Sequence, residues 1–304
     1  MSDSTLRAPE KIRLAISTCP NDTFAFHAML EHKVDWQGLD FEVQLLDIQQ
    51  LNDGLFREQF DIAKASFHAA AMLTDQTVVL PSGSALGFGV GPLLLAAQPE
   101  TLPSDIDVAV REAAVTLCPG EHTTAAMLFQ LFYDNDIKQG RTRIEQTLFS
   151  QIMPSLKRAE ADFGVCIHEG RFTWQEEGLY LIEDLGTRWE RETEAPLPLG
   201  GILASRKLGD DTLKRAQSVI RSSILYGIEN REETLPTMRK HAQEFNDEVL
   251  FNHVDLYVNQ WTVELGDVGA EALKLLSEKA RECGLIPRTS RDIEVWSDKA
   301  GSIS

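Results

Sequence analysis

Along most of this chain the spacing of apolar residues switches repeatedly between a period of two and a helical period, and a layered α/β fold satisfies that pattern. Ile12-Arg-Leu-Ala-Ile16 alternates as a strand, and after the loop Ser17–Asp22 the apolar residues Phe24, Phe26, Met29 and Leu30 fall at helical spacing. Residues 41–45 predict a second strand, 51–55 a short helix and 60–64 a third strand. Ser66 then stands where it can cap a helix over residues 67–73. Repeated strand–loop–helix units predict largely parallel sheets with helices on their faces.

The glycine-rich stretch Ser82–Pro92 leads into Leu93-Leu-Leu-Ala96 and a polar, proline-bearing loop from Gln98 to Asp105, which reads as a hinge. A second series follows: a strand at 115–117, a loop at Cys118–His122 and a helix from Ala125 to Phe132. Next come a strand near 143–147, a helix near 152–159 and a strand at 163–167. Residues 196–203 read as a second crossing strand, and the tail is helical, with Leu213, Ala216, Ile220 and Ile224 on one stripe. Crossings near 92–98 and 196–204 predict two α/β lobes. Residues 1–95 and 200–304 form the first, residues 96–199 form the second, and a ligand cleft lies between them.

The net charge of -18 repels nucleic-acid phosphates and anionic lipid, so no nucleic-acid partner is expected. No stretch approaches the ~18 apolar residues of a membrane span, so no membrane insertion is expected. The polar segment Met1–Lys11 lacks the apolar run of a secretory signal, which predicts a cytoplasmic protein. Cys19, Cys118, Cys166 and Cys283 are dispersed, without a C-x-x-C pair, and read as reduced. The expected partner is a small anionic molecule, and its site must supply local donors against the global charge.

Four loops occupy the positions this architecture reserves for ligands, at strand ends and helix starts. They offer Ser17, Asn21, Asp22 and Thr23; Lys64, Ala65 and Ser66; Thr123 and Thr124; and His168 with Arg171. Helix capping is the competing use of Asp22, Ser66 and Thr123. His168 follows the apolar run Phe163–Ile167 and emerges at its end, where an imidazole can act as a general base without a metal or serve as a hydrogen-bonded structural group. Lys64 ends an apolar strand and can pair with a substrate carboxylate or point to solvent. Glu169 and Arg171 can tune His168 or form a salt bridge between lobes. Asp162-Phe-Gly164 has no kinase companions, and Gly83–Gly91 lacks a phosphate-loop ending. His168-Glu169 has no second histidine at zinc spacing. His27, His32, His68, His122, His241 and His253 show no metal spacing either, so no metal site is expected.

Together Ser17-Thr-Cys-Pro-Asn-Asp-Thr-Phe24, Lys64-Ala-Ser66, Pro119-Gly-Glu-His-Thr-Thr-Ala125 and Ile167-His-Glu-Gly-Arg-Phe-Thr173 resemble the 1,4-dihydroxy-6-naphthoate synthases. The resemblance extends through Leu197-Pro-Leu-Gly200, Ser222, Asp247-Glu-Val and Tyr257-Val-Asn259, covering roughly residues 11 to 287. Thr18 and Gly170 depart from the family's usual residues beside the site. The resemblance implies a fold like the type II periplasmic binding proteins. It implies a lyase of menaquinone (vitamin K2) biosynthesis that converts cyclic dehypoxanthine futalosine to 1,4-dihydroxy-6-naphthoate and releases dihydroxyacetone. No cofactor is implied. His168 would accept a proton, Lys64, Ala65 and Ser66 would contact substrate, and Thr123 and Thr124 would contact it from the other lobe. Competing readings are a solute-binding protein for a small organic anion and a chorismate dehydratase of the same pathway. A transcription-factor effector domain is disfavoured because no helix-turn-helix segment is present.

Overall fold

The computed structural model describes residues 10–99, 113–168, 170–242 and 246–298. The expected loop beyond Pro99 and the residue Glu169 lie outside the described residues. Two sheets result from the alternating pattern. The first contains β1 (Glu10–Ser17), β2 (Leu39–Leu46), β3 (Ile62–Ser66), β4 (Thr77–Val79), β5 (Ala85–Gly87) and β11 (Leu197–Ser205). The second contains β6 (Leu93–Ala96), β7 (Ala114–Cys118), β8 (Thr142–Gln146), β9 (Phe163–Cys166) and β10 (Tyr180–Asp184).

In the first sheet β2, β1 and β3 lie side by side and parallel, with Glu10 opposite Leu39 and Ser17 opposite Leu46. All five residues of β3 are buried, as expected of a central strand covered on both faces. The sheets are mixed rather than largely parallel. β11 runs antiparallel to β3, from Gly200 opposite Ser66 to Ala204 opposite Ile62, and also pairs β4 and β5. In the second sheet β6 runs antiparallel to both β9 and β10, while β7, β8 and β9 are mutually parallel. Strand direction is set by the side from which the chain re-enters a sheet, and apolar spacing carries no trace of it.

The first crossing also differs from expectation. Leu93–Ala96 is bonded on both sides within the second sheet, so a boundary at residues 95/96 cuts an interior strand. Part of the glycine-rich stretch is the strand β5. The turn between β5 and β6 is tightly packed: a Cβ on Gly91 would lie 2.2 Å from the Cα of Gly186, and one on Gly186 would lie 2.5 Å from the Cα of Gly91. Leu185 N–H donates to the Pro92 carbonyl at 3.0 Å beside this contact.

The hydrophobic core is continuous from one sheet to the other. The helix Thr124–Phe132 bridges them, resting on the helices Phe67–Met72 and Gly266–Glu282 as well as on β9 and β11. Ala126, Met127, Leu128 and Phe129 are fully buried there. Removing each of the three larger side chains from water contributes roughly 2 kcal/mol.

Gly91→Ala and Gly186→Ala are each expected to destabilise the protein by about 2–3 kcal/mol, because a methyl group has no free volume where two backbones touch. Thermal denaturation of the single variants measures this. Melting points equal to wild type would show that the contact relaxes at no cost.

Candidate functional site

The carboxyl ends of β1, β3, β7 and β9 converge on a cleft between the sheets. Of the residues expected from sequence, Ser17, Asn21, Asp22, Lys64, Ala65, Ser66, Thr123, Thr124 and His168 line it. Ile48, Val90, Pro92, Leu199 and Tyr257 give the cleft apolar walls.

Lys64 lies on β3 and is 5% exposed; its Nζ donates to Asp22 Oδ1 at 2.7 Å and to the Gly83 carbonyl at 3.0 Å. Asp22 is 3% exposed and also accepts from Asn21 Nδ2 at 3.1 Å. A buried ammonium demands such a counter-charge, so Lys64 and Asp22 form a neutral pair on the cleft wall.

Ser17 and Ser66 end neighbouring strands. Ser17 Oγ accepts from the Cys19 amide at 3.0 Å, and Ser66 Oγ accepts from Asn52 Nδ2 at 3.3 Å, which leaves each hydroxyl hydrogen to turn toward an acceptor in the cleft. Asn52, only 1% exposed, also accepts from the Ser66 amide at 3.0 Å and donates to the His122 carbonyl at 3.4 Å. Ser66 stands at the N-cap of the following helix without making a side-chain capping bond.

Thr123 does cap its helix: its hydroxyl accepts from the Ala126 amide at 3.2 Å and donates to the Gly120 carbonyl at 2.8 Å. The Thr124 hydroxyl donates to the Leu199 carbonyl at 2.6 Å, joining this helix to β11. What this turn presents to the cleft is therefore backbone N–H, at the positive end of a nine-residue helix.

His168 is half-buried and adopts a left-handed backbone with φ of 55°, which turns the chain from β9 into the helix Gly170–Thr173. The ring lies edge-to-face with Phe149 at a centroid distance of 4.9 Å. Its Nδ1 is 3.3 Å from the Cys19 thiol, so a loop from the first sheet meets a strand end from the second.

Two expected site residues serve elsewhere. Thr23 is fully buried and its hydroxyl donates to the carbonyls of Cys19 and Pro20, inside the helix Pro20–Ala25. Arg171 is absent from the cleft lining: its guanidinium donates to the Gly91 carbonyl at 2.6 Å and to Asp184 at 2.7 Å, a brace across the turn before β6. Cys19, His253 and Tyr257 enter the site without having been singled out for it. Their visible signals are the position of Cys19 between Ser17 and Asn21, and the place of His253 on the apolar stripe Leu250, Val254, Tyr257.

Burial pushes the imidazole of His253 well below the ordinary histidine range, assisted by the charges of His168 and Lys64. Burial, with His122 beside it, lowers His68 to about 4. Among the described residues no group of three or more His, Cys, Asp or Glu is arranged to hold a metal ion, and no helix is long and apolar enough to cross a membrane.

Residues 12–282 match the model of a family described as menaquinone biosynthesis. The chain belongs to that family. It is 38% identical to a 1,4-dihydroxy-6-naphthoate synthase of Thermus thermophilus over 94% of this chain and 100% of that one. It is 36% identical to the synthase of the same name from Streptomyces coelicolor, over 93% and 97% of the two chains. A crystal structure of an Archaeoglobus fulgidus protein superposes with a TM-score of 0.82 at 30% identity, covering 91% of this chain and 98% of that one. The periplasmic aliphatic sulphonate binding protein of Escherichia coli shares the fold alone, with a TM-score of 0.60 at 11% identity over 96% and 95% of the chains. The two-lobed periplasmic-binding-protein architecture expected from the resemblance is thus the architecture of this menaquinone-biosynthesis family member.

Asp22→Asn is expected to cost about 3–5 kcal/mol, because it strands a buried ammonium, while the double variant with Lys64→Met recovers most of that loss. Denaturant titration of the single and double variants decides it. A double variant less stable than Asp22→Asn would place the stabilisation outside the pair. His68 gives a pH signature. Above its ordinary value of 6.5 both folded and unfolded states are neutral there; between 6.5 and about 4 only the unfolded state takes the proton. Its contribution is therefore full above 6.5 and is lost as pH falls, by about 3 kcal/mol at the lower limit. His68→Leu should flatten the stability curve between pH 6.5 and 4.5 by up to about 1.4 kcal/mol per pH unit. An unchanged slope would show that His68 is protonated in the folded protein.

Proposed function

We propose that the chain is a cytoplasmic, cofactor-independent carbon–carbon lyase with His168 as its general base. Its reaction on this reading converts cyclic dehypoxanthine futalosine to 1,4-dihydroxy-6-naphthoate with release of dihydroxyacetone. The observation that carries the proposal is the position of His168: an imidazole lines the same cleft as the serine hydroxyls and the helix start, in a chain homologous along its length to named synthases.

The walls suit such a substrate. Ile48, Val90, Pro92, Leu199 and Tyr257 take the flat carbon skeleton, and Ser17, Ser66 and the amides that open the helix Thr124–Phe132 receive its carboxylate. Lys64 acts through its pair with Asp22, so it contributes a fixed dipole and two polar edges instead of an unbalanced positive charge. His168 removes a proton from the carbon skeleton, the electron pair left behind drives cleavage of the carbon–carbon bond, and the pair of that bond goes with the three-carbon fragment, which takes the proton back to leave as dihydroxyacetone. Formation of an aromatic ring supplies the driving force. Closing the lobes removes water from around the base.

His168→Asn is expected to lower kcat by roughly 10²–10⁴-fold, the usual worth of a positioned acid–base group. The fold should survive, since asparagine tolerates the left-handed backbone at this position. The measurement is mass-spectrometric quantification of naphthoate and dihydroxyacetone formed from cyclic dehypoxanthine futalosine. A folded, substrate-binding variant that turns over within a few-fold of wild type removes His168 from the role. A wild-type protein that forms neither product, and copurifies instead with an amino acid or inorganic anion, replaces the lyase with a solute-binding protein.

A further inference from the structure

The helix Asp247–Tyr257 buries a stripe of Leu250, His253, Val254 and Tyr257. Leu250 and Val254 pack in the core and Tyr257 gives its ring to the cleft wall; His253 is a polar residue on the same stripe. It is 1% exposed, and among the described residues neither ring nitrogen has a hydrogen-bond partner. Buried polar atoms in folded proteins are normally paired, and an orphan pair is costly to keep where an apolar side chain would continue the stripe.

The surroundings of the ring point to a ligand. His253 lines the cleft, with its ring 6.2 Å from that of His168 and inclined to it by only 25°. Tyr257 and Phe172 hold it at centroid distances of 4.5 and 6.2 Å. Burial opposes its protonation, and so do the titratable groups that face it, His168 after β9 and Lys64 on β3. A neutral imidazole keeps one N–H donor and one lone pair. Such a ring, preorganised and shielded from water, is suited to donate to an oxygen on which negative charge grows.

We propose that His253 is a second imidazole of the site, whose N–H donates a hydrogen bond to a carbonyl or hydroxyl oxygen of the bound carbon skeleton. The proposal rests on the lyase reading above, in which His168 removes the proton; His253 transfers none and holds the oxygen beside it. One imidazole thus acts on carbon and the other on oxygen. The apo protein carries the unpaired nitrogens because the ligand is their partner.

The test uses the full chain, with 1,4-dihydroxy-6-naphthoate as the probe. His253→Phe preserves an aromatic ring and removes both nitrogens. It should melt at or above the wild-type temperature, bind the probe at least tenfold more weakly by calorimetry and lower kcat on cyclic dehypoxanthine futalosine by more than tenfold. A merely structural histidine gives the opposite stability result. Wild-type protein labelled with nitrogen-15 in histidine provides a readout that needs no variant: saturation with the probe should shift a His253 ring nitrogen. Unmoved His253 resonances with bound probe, or a folded His253→Phe variant binding within twofold of wild type, overturn the proposal and leave the lyase reading intact. Wild type that neither binds the probe nor forms it overturns both.

Discussion

A lysine ammonium taken out of water needs a fixed counter-charge, and at the floor of this cleft Asp22 supplies it. The pair ties the loop after β1 to β3, and the second bond of Lys64, to the Gly83 carbonyl, ties both to the glycine-rich stretch. Three separate segments of the first sheet are therefore held by one nitrogen atom. On the proposed reading of the cleft, the pair also determines how an anionic substrate would be held. Its opposite charges offset one another, so the attraction must come from oriented dipoles: the hydroxyls of Ser17 and Ser66 and the amides at the start of the helix Thr124–Phe132. Hydrogen bonds of that kind act at close range and impose geometry, which suits selection of one carboxylate within a chain of charge -18.

Much of the architecture was legible because period and burial are the same fact seen twice. Ile12, Leu14 and Ile16 alternate because β1 has two faces, and the unbroken burial of β3 reports cover on both of its own. The misassigned part, Leu93–Ala96, shows where such reasoning stops. Four leucine and alanine residues read alike as a connecting strand or as the interior of either sheet, and only pairing with β9 and β10 decides. Thr77–Val79 and Ala85–Gly87 are too short to carry a period at all.

The site divided along a similar line. Ser17, Ser66 and His168 stand at or just beyond strand ends, a position that local pattern reveals; Lys64, expected to end its strand, is instead the middle residue of β3. Arg171 follows His168 by three residues, yet its partners Gly91 and Asp184 lie outside that segment, and no local signal distinguishes a brace from a ligand contact. Thr23 was drawn in by its neighbours, although its hydroxyl is spent on its own helix. His253 shares with the other histidines the lack of metal spacing, but it alone interrupts the stripe Leu250, Val254, Tyr257, and a polar residue at a core position calls for a partner that sequence alone does not show.

The shared core around Ala126, Met127, Leu128 and Phe129 has a consequence for how such proteins diversify. A segment carrying the second sheet would be an attractive cassette to exchange for that of another binding protein, since it enters and leaves the first sheet at only two places. Here the cassette would take with it the helix that fills the junction, and the remaining half would expose Phe67 and the inner face of the helix Gly266–Glu282. Novelty in this architecture is therefore more readily acquired through residues lining the cleft than by shuffling halves, because each half completes the other's interior.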